Sequence, residues 1–479
     1  MKKYSVLIEI VAFALLLMLC FGKYYDVARY KEAANGGGIE NYSSVESDVD
    51  VAVYGSSHAG CTVDNSILWN EFGISSYTIW GSAQKSDGIY MYMLDSFKSK
   101  KPRIAMVETY TLEKTAENHI DMIRTVLTTR FSIPSVKFII DACRNLGESR
   151  EYTEELIFRM PVVHSRYKEL SREDFVNEHA YNRGYKGSDE CTLQEPPATN
   201  DAVIEVPDKA KEYIDKIIEL CEKNDVQLIS FTAPFSATEQ EVGEQNGIHA
   251  YLESKGQTCL DFLGNYEQYG IDFSQDMREY SHLNNAGASK ITKSIGEYIV
   301  SNYQISDKTV LGQDFSDWDL HSRYLDGRND MYALHNCNGM DDYLSVLSSM
   351  MDKYIVIVSF DGNYRAIEEY AQRPRFDLIG ISEEQYLKGG TVLIKNGTVT
   401  YNSDGADSYM QCFELEGSSE VVIDKRQEDA TAQIVIDGRY FFGDNNGYTV
   451  FVYDDKCDQI VDEMHLDVFT NDGMVHIEH

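Results

Sequence analysis

The sequence predicts an α/β protein, a three-layer α/β/α sandwich around a mainly parallel sheet, followed by a smaller β-rich α+β domain. Three observations predict it. Short apolar strands alternate with helical patterns from residue 50 to residue 300, the signature of βαβ units whose sheet is covered on both faces. Beyond residue 310 strand and hairpin signals dominate instead. The chain has 479 residues, 43% hydrophobic, 12% aromatic and 25% charged, which places it inside the globular range and above the size one core usually organises.

The elements follow in order. Asp50-Val51-Ala52-Val53-Tyr54 is a short apolar strand that stops at Gly55. A helical pattern from Asp64 through Trp69 leads to a strand at Tyr77–Trp80, a helix from Asp87 to Phe97 and a strand at Arg103–Val107. Residues 117–180 read as mostly helical. The alternation resumes with a helix from Asp208 to Glu222, the strand Val226–Phe231, a helix through 237–254, the strand Thr258–Asp261 and a closing helix from Asn285 to Val300. In the last third, Tyr354–Val358 is a buried strand, and Asn396-Gly397 is the turn of a hairpin spanning Val392–Tyr401. Strands at Val421–Ile423, Ala432–Ile436 and Tyr448–Tyr453 complete a β-rich region.

The N-terminus reads as an anchor helix or a signal peptide, with a buried helix as the remaining alternative. Met1-Lys2-Lys3 precedes an unbroken apolar run from Ile10 to Phe21, with Glu9 the one charge inside the wider stretch. About 20 apolar residues cross a bilayer, and the flanking lysines hold the short end in the cytoplasm. The run enters Met18-Leu19-Cys20-Phe21 without the small-residue pattern of a cleavage site, so an uncleaved anchor is expected. The expected plan is a cytoplasmic tip at 1–3, a transmembrane signal anchor at 4–22, a linker at 23–47 containing Gly36-Gly37-Gly38, a catalytic α/β domain at 48–305 and an accessory β-rich domain at 306–479. The bulk of the chain then lies outside the cell membrane as a single-pass protein.

Aspartate and glutamate total 78 against 43 lysines and arginines, a net charge of −35. That excess repels phosphate backbones and disfavours nucleic acid as a partner. The nine cysteines, at 20, 61, 143, 191, 221, 259, 337, 412 and 457, are widely spaced and make no zinc pattern and no disulfide framework. The histidines 164, 179, 249, 335 and 465 show no ligand spacing and are assigned to surface or packing. Asp454-Asp455-Lys456-Cys457-Asp458 lacks the spacing of a calcium loop and reads as a tight turn. No metal and no cofactor are expected. Asn41-Tyr42-Ser43 and Asn396-Gly397-Thr398 match glycosylation acceptors, the second being better explained by its hairpin.

Two short motifs carry chemistry. After the first strand, Gly55-Ser56-Ser57-His58-Ala59-Gly60 is a small-residue turn from which a serine can project at the carboxyl edge of a parallel sheet. Amides of such a turn can face a developing oxyanion. Before the last helix of the same domain stands Glu279-Tyr280-Ser281-His282-Leu283-Asn284. A carboxylate three residues ahead of a histidine can reach its Nδ1 and leave Nε2 free to act as base on a serine. Asp276 and Asp272 lie close enough in sequence to take the place of Glu279. His58, beside the serine, reads as a pocket wall or structural partner rather than the base.

These motifs resemble the SGNH (GDSL-like) hydrolases, and more closely their extracytoplasmic, membrane-anchored branch tied to acylation of cell-surface polymers. Gly55-Ser56-Ser57 matches the Gly-Asp-Ser block, and His282-Leu283-Asn284 through Gly287 and Lys290 looks like the last block of that branch. The resemblance covers roughly residues 48–304. It implies the SGNH/flavodoxin-like sandwich, Ser57 as nucleophile and His282 as base, with Glu279 standing where the family usually has Asp. Gly81 fits the glycine of the second block, and Gln84 could supply a side-chain donor, so Gly81, Gln84, Ser56 and His58 form the expected oxyanion and substrate-binding group. The family's Gly-x-Asn-Asp block is absent, with Glu108-Thr109-Tyr110 after the third strand instead.

The implied function is that of a serine esterase or O-acyltransferase acting on acetyl-type acyl groups of cell-surface polysaccharide. That branch often works beside a multispanning membrane O-acyltransferase that supplies the acyl group. Two alternatives stand beside it: a non-catalytic surface protein with a decayed SGNH domain that binds glycan or a partner, and D-alanyl transfer to teichoic acid. In the C-terminal region, Tyr354–Gly362 and Gly447–Asp455 look somewhat like the interleukin-like EMT-inducer domain, which implies a binding role there.

Overall fold

The computed structural model describes residues 12–13, 16–17, 19–25, 27–28, 39–45, 47–170, 183–305, 308, 312–360, 374–415, 420–427, 432–436, 439–442, 447–467 and 476–478. Most of the expected anchor at 4–22, the Gly36-Gly37-Gly38 spacer, His179 and Gly362 lie outside the described residues. Among the described residues no helix is long and apolar enough to cross a membrane. The chain divides into two compact units, Met1–Ser322 and Arg323–His479.

The first unit is built on five parallel strands, β1 (Val51–Gly55), β2 (Ser76–Trp80), β3 (Ile104–Glu108), β4 (Gln227–Thr232) and β5 (Thr258–Asp261), in the order β2-β1-β3-β4-β5. Each expected strand is found within one residue of its sequence bounds. β1, β2 and β3 are buried throughout, as strands covered on both faces must be. Helices α1 (Ser57–Thr62), α2 (Asn65–Phe72), α3 (Ser86–Ser99), α4 (His119–Thr128), α5 (Ile133–Leu146), α6 (Arg150–Phe158), α7 (Asp208–Lys223), α8 (Glu239–Ser254) and α9 (Asn285–Asn302) surround it.

Alternate strand residues enter two different cores, which makes three layers. Ala52, Tyr54, Ala105 and Val107 pack with Ile89 and Met93 of α3 and Ile214 and Ile217 of α7. Val51, Val53 and Met106 pack with Leu68 of α2 and Ile291, Ile295 and Ile299 of α9. The last three stand at i, i+4 and i+8, one stripe of α9, and all are fully buried. Each contributes ~1.5–3 kcal/mol relative to exposure.

The first unit runs past residue 305, where the sequence reading ended the domain. Phe315 and Trp318 belong to the core of this unit, Trp318 Nε1 donating to Ser47 Oγ at 3.0 Å and Phe315 stacking on Trp69 with centroids 5.8 Å apart. Apolar pairing with a tryptophan far back in the chain leaves no local signal.

The second unit is β-rich α+β. Among the described residues, one sheet has six strands in the order β10 (Thr398–Asn402), β9 (Gly390–Lys395), β8 (Ile355–Phe360), β15 (Gly447–Asp454), β16 (Gln459–Asp467) and β17 (His476–Glu478), and the other has four in the order β11 (Tyr409–Glu414), β12 (Glu420–Lys425), β13 (Gln433–Ile436) and β14 (Arg439–Phe442). In the first, β8 (Ile355–Phe360) lies between β9 (Gly390–Lys395) and β15 (Gly447–Asp454), and all its described pairings are antiparallel. Ile357 and Phe451 pack against Val421, Ile423 and Ile434 of the other sheet, while Val356, Val358 and Val450 pack against Tyr343, Leu344 and Leu347 of a helix at Met340–Ser348. The β9–β10 hairpin turns at Asn396 and Gly397, both with positive φ (51° and 66°), as an Asn-Gly turn requires.

Candidate active site

The strand order places a topological switch between β1 and β3, where the chain leaves β1 toward β2 and later returns to the other side. Open α/β sheets offer their crevice at such a point, beyond the carboxyl ends of the strands. Gly55 ends β1 there. A Cβ on it would stand 2.8 Å from Cβ of Glu108 and 2.9 Å from Cβ of Ala59, so glycine is needed for close approach rather than for an unusual φ. Ser56 caps α1, its Oγ accepting from His58 N at 3.2 Å and donating to Glu108 Oε2 at 3.3 Å. Ser57 is the first residue of α1, so its own N–H has no acceptor within the helix.

His282 is delivered from another direction. β6 (Met277–Glu279) and β7 (His282–Leu283) form a two-stranded antiparallel ribbon that sets Glu279 opposite His282. The α9 cap anchors this ribbon: Asn284 Oδ1 accepts from Gly287 N at 3.1 Å, and Asn284 Nδ2 donates to the Gln275 carbonyl at 2.7 Å. His282 Nε2 lies 2.7 Å from Ser57 Oγ, and His282 Nδ1 is in a short hydrogen bond with Glu279 Oε1. The other Glu279 oxygen accepts from Ser281 N at 2.9 Å. The glutamate arm is folded back by that bond, which resolves how a residue longer than Asp fits.

The alternative acids are occupied elsewhere. Asp276, 1% exposed, accepts from Lys290 Nζ at 2.6 Å and from Asp272 N at 2.7 Å, and Asp272 accepts from Ser274. Glu279 alone of the three reaches the ring.

Electrostatics suit the arrangement. Burial holds His282 below the usual histidine range, the Glu279 carboxylate works against that, and Arg278 and Lys186 add to it. Burial opposes the charged form of Glu279, but Ser281 N–H and the His282 ring outweigh it and hold the carboxyl below its ordinary range. A neutral imidazole beside an ionised carboxylate can take a proton from a hydroxyl while the carboxylate steadies the ring.

The remaining expected residues have different surroundings. His58 is 2% exposed, stacked on Tyr110 with centroids 3.7 Å apart, edge-on to Phe235 at 5.3 Å and 5.1 Å from the His282 ring. Neither of its ring nitrogens has a hydrogen-bond partner among the described residues, and burial, with His282 nearby, drives it well below the histidine range. Its ring is thus held in the neutral form against Tyr110 and Phe235. Gly81 N–H donates to the Gly55 carbonyl at 3.4 Å, tying the turn after β2 to the end of β1. Gln84 is buried and its Nε2 donates to Thr125 Oγ1 at 2.7 Å, while Thr111 Oγ1 donates to its carbonyl. Ser56 is likewise committed to its cap and to Glu108. Gln84 and Ser56 thus hold the turns in place through their side chains, and the partner of Gln84 sits 41 residues away, beyond what a local motif reveals.

Three groups that the fold brings here had no expected role in the site. Glu108, fully buried at the end of β3, sits under Ser56. Tyr110 and Phe235 form the aromatic wall on His58. Lys186 lies on an irregular segment, 183–206, which crosses the carboxyl edge with Lys186 N donating to the Gly60 carbonyl at 2.7 Å. Only Glu108 had a signal, an acid ending an otherwise apolar strand.

Fold and site define a class: a parallel α/β sandwich with a serine–histidine–glutamate chain at its topological switch. No family model and no curated protein matches the chain. Among solved structures it is similar to one described as a lipolytic protein of the G-D-S-L family from Desulfitobacterium hafniense, at 11% identity and a TM-score of 0.28, over 52% of this chain and 97% of that one. It is also similar to one described as an acylhydrolase from Bacteroides fragilis, at 9% identity and a TM-score of 0.31, over 57% of this chain and 100% of that one. Superpositions this loose do not bear on activity.

Proposed function

We propose that the chain is a serine esterase or O-acyltransferase of the SGNH type, anchored in the cell membrane and acting outside it on acetyl-type acyl groups of cell-surface polysaccharide. The observation that carries the chemistry is the continuous Ser57–His282–Glu279 chain, with 2.7 Å between Ser57 Oγ and His282 Nε2. Ser57 Oγ attacks the acyl carbonyl as His282 Nε2 takes its proton, and Glu279 steadies the imidazolium. The Ser57 N–H is the donor we assign to the oxyanion. His282 then returns the proton to the departing alkoxide, leaving an acyl-serine. Water as second acceptor completes hydrolysis, and a sugar hydroxyl completes transfer.

The anchor rests on the apolar run Ile10–Phe21, and the polymer and an acyl-supplying membrane partner rest on the resemblance of the two motifs. A D-alanyl group on teichoic acid would use the same steps. A second reading, a glycan-binding surface protein without turnover, is favoured by one observation: β3 ends in Glu108-Thr109-Tyr110 with no asparagine donor, and Gln84 is turned to Thr125.

The test is intact-mass analysis of the full chain after exposure to a fluorophosphonate, with p-nitrophenyl acetate turnover measured alongside. One adduct is expected, lost in Ser57→Ala together with kcat by a factor on the order of 10⁴–10⁶. An adduct that persists in Ser57→Ala would sink the assignment, and an unlabelled wild-type protein would favour the binding protein.

A further inference from the structure

A cavity of about 280 Å³ opens between residues 197–201, α8 and the turn after β5. None of Ser57, His282 and Glu279 lines it. Its inner side is a hydrogen-bond chain in which each proton can be placed. Gln245 Nε2 donates to the Tyr110 carbonyl at 3.3 Å, so the amide oxygen is the atom that faces Thr109 Oγ1, 2.9 Å away. An amide oxygen only accepts, so the single hydroxyl proton of Thr109 goes to it. Thr109 Oγ1 and Thr232 Oγ1 are 2.5 Å apart, a contact that needs a proton between them, and Thr232 alone has one to give. Thr232 must then accept from His249 Nε2, 2.6 Å away.

His249 therefore carries its proton on Nε2. Burial holds the ring below the usual histidine range against the pull of Asp261, so it is neutral and Nδ1 presents a lone pair. That lone pair faces a second acceptor, Asp261 Oδ2, across 4.0 Å, while Asp261 Oδ1 accepts from Gly264 N at 2.7 Å. Two acceptors turned toward each other at a cavity wall call for a donor that brings more than one proton. A nitrogen about 2.9 Å from both atoms fits the span.

Charge narrows the donor further. Asp201 adds a second carboxylate to the lining, which among the described residues holds no lysine or arginine. A metal is a poor fit, since among the described residues no three histidine, cysteine or acidic side chains converge. A hydroxyl brings one proton and a water two, neither with any charge. An ammonium group brings three protons and the opposite charge.

We propose that this cavity binds the primary ammonium group of a small polar molecule, seated between His249 Nδ1 and Asp261 Oδ2. The volume lies just under the roughly 300–1,000 Å³ of drug-sized sites, which suits a ligand no larger than a single amino sugar. The site is separate from the acyl chemistry at Ser57 and does not depend on it.

The experiment is calorimetric titration of the full chain at neutral pH with D-glucosamine and with D-glucose, which differ in an ammonium against a hydroxyl. Saturable binding of glucosamine alone is expected, weakened about tenfold or more in Asp261→Asn, and unchanged in Ser57→Ala. On the wild-type protein, ¹⁵N shifts should report His249 protonated at Nε2 only before ligand is added. Equal binding of the two sugars, binding of neither, unchanged binding in Asp261→Asn, or a ring protonated at both nitrogens would each overturn the proposal.

Discussion

Glu108 is fully buried beneath the nucleophile turn, and burial outweighs its bonds from Tyr110 N, Ser56 Oγ and Ala233 N, so that its carboxyl is pushed up to about 8. The folded state thus holds this proton more tightly than the unfolded chain does. Its contribution to stability is fully present below the ordinary carboxyl range and is lost as pH rises through about 8. Glu108→Gln, neutral at every pH, should therefore gain on the wild type between pH ~5 and ~9 by on the order of a few kcal/mol. Thermal melts across that range check this, and a constant difference between the two proteins would refute it. His282 gives the complementary acid-side expectation. Because burial holds its ring low, the acid limb of kcat/KM should lie below the ~6.5 of a free histidine. Glu279→Gln removes the group that opposes this shift, so the limb should move to still lower pH while the plateau falls by about 10²–10⁴-fold. A pH–rate profile with a lowered plateau and an unmoved limb would mean Glu279 does not act through the ring.

Segment 183–206 does at the level of an element what the cap does at Ser57. It has no helix or strand, yet Thr78 N donates to the Arg183 carbonyl, Trp80 Nε1 to the Gly184 carbonyl, and Thr192 N to the Met277 carbonyl, pinning one segment to β2 and to the ribbon that carries His282. Gly184 has φ +86°, and a Cβ there would lie 1.8 Å from the Thr78 carbonyl oxygen. Gly184→Ala should lower the urea midpoint by the equivalent of at least ~1–3 kcal/mol, and a midpoint matching wild type would show the segment to be loosely attached. This element was unreadable in the sequence because its contacts run through backbone carbonyls and amides, which leave no side-chain period. The five strands were readable for the opposite reason, since burial on both faces forces apolar runs. So was the E-x-x-H spacing, though not the ribbon of three- and two-residue strands that makes it work. Gln84 misled because its local setting suits a donor, while Thr125, its partner, is placed only by the fold.

Across the whole molecule, 35 excess negative charges compete with two cations close to the site. Arg278 and Lys186 are near enough to His282 to depress its protonation, and Lys186 lies over the Trp80 ring at 5.8 Å. A neutral ester meets neither field, whereas an anionic polysaccharide meets both, the acidic surface at long range and the cations at contact. Salt decides between them by distance. Raising ionic strength from 0.01 to 0.1 M shortens the screening length from ~30 to ~10 Å, which removes the distant repulsion while a contact of a few ångströms survives. If the polysaccharide of the proposed function is anionic, its turnover should therefore rise with salt over that interval and then level off, with p-nitrophenyl acetate turnover flat throughout. Initial rates for both substrates against sodium chloride make the comparison. A fall with salt for the polymer alone would mean that Lys186 and Arg278 govern its approach, and that the acidic surface faces away from the path the substrate takes.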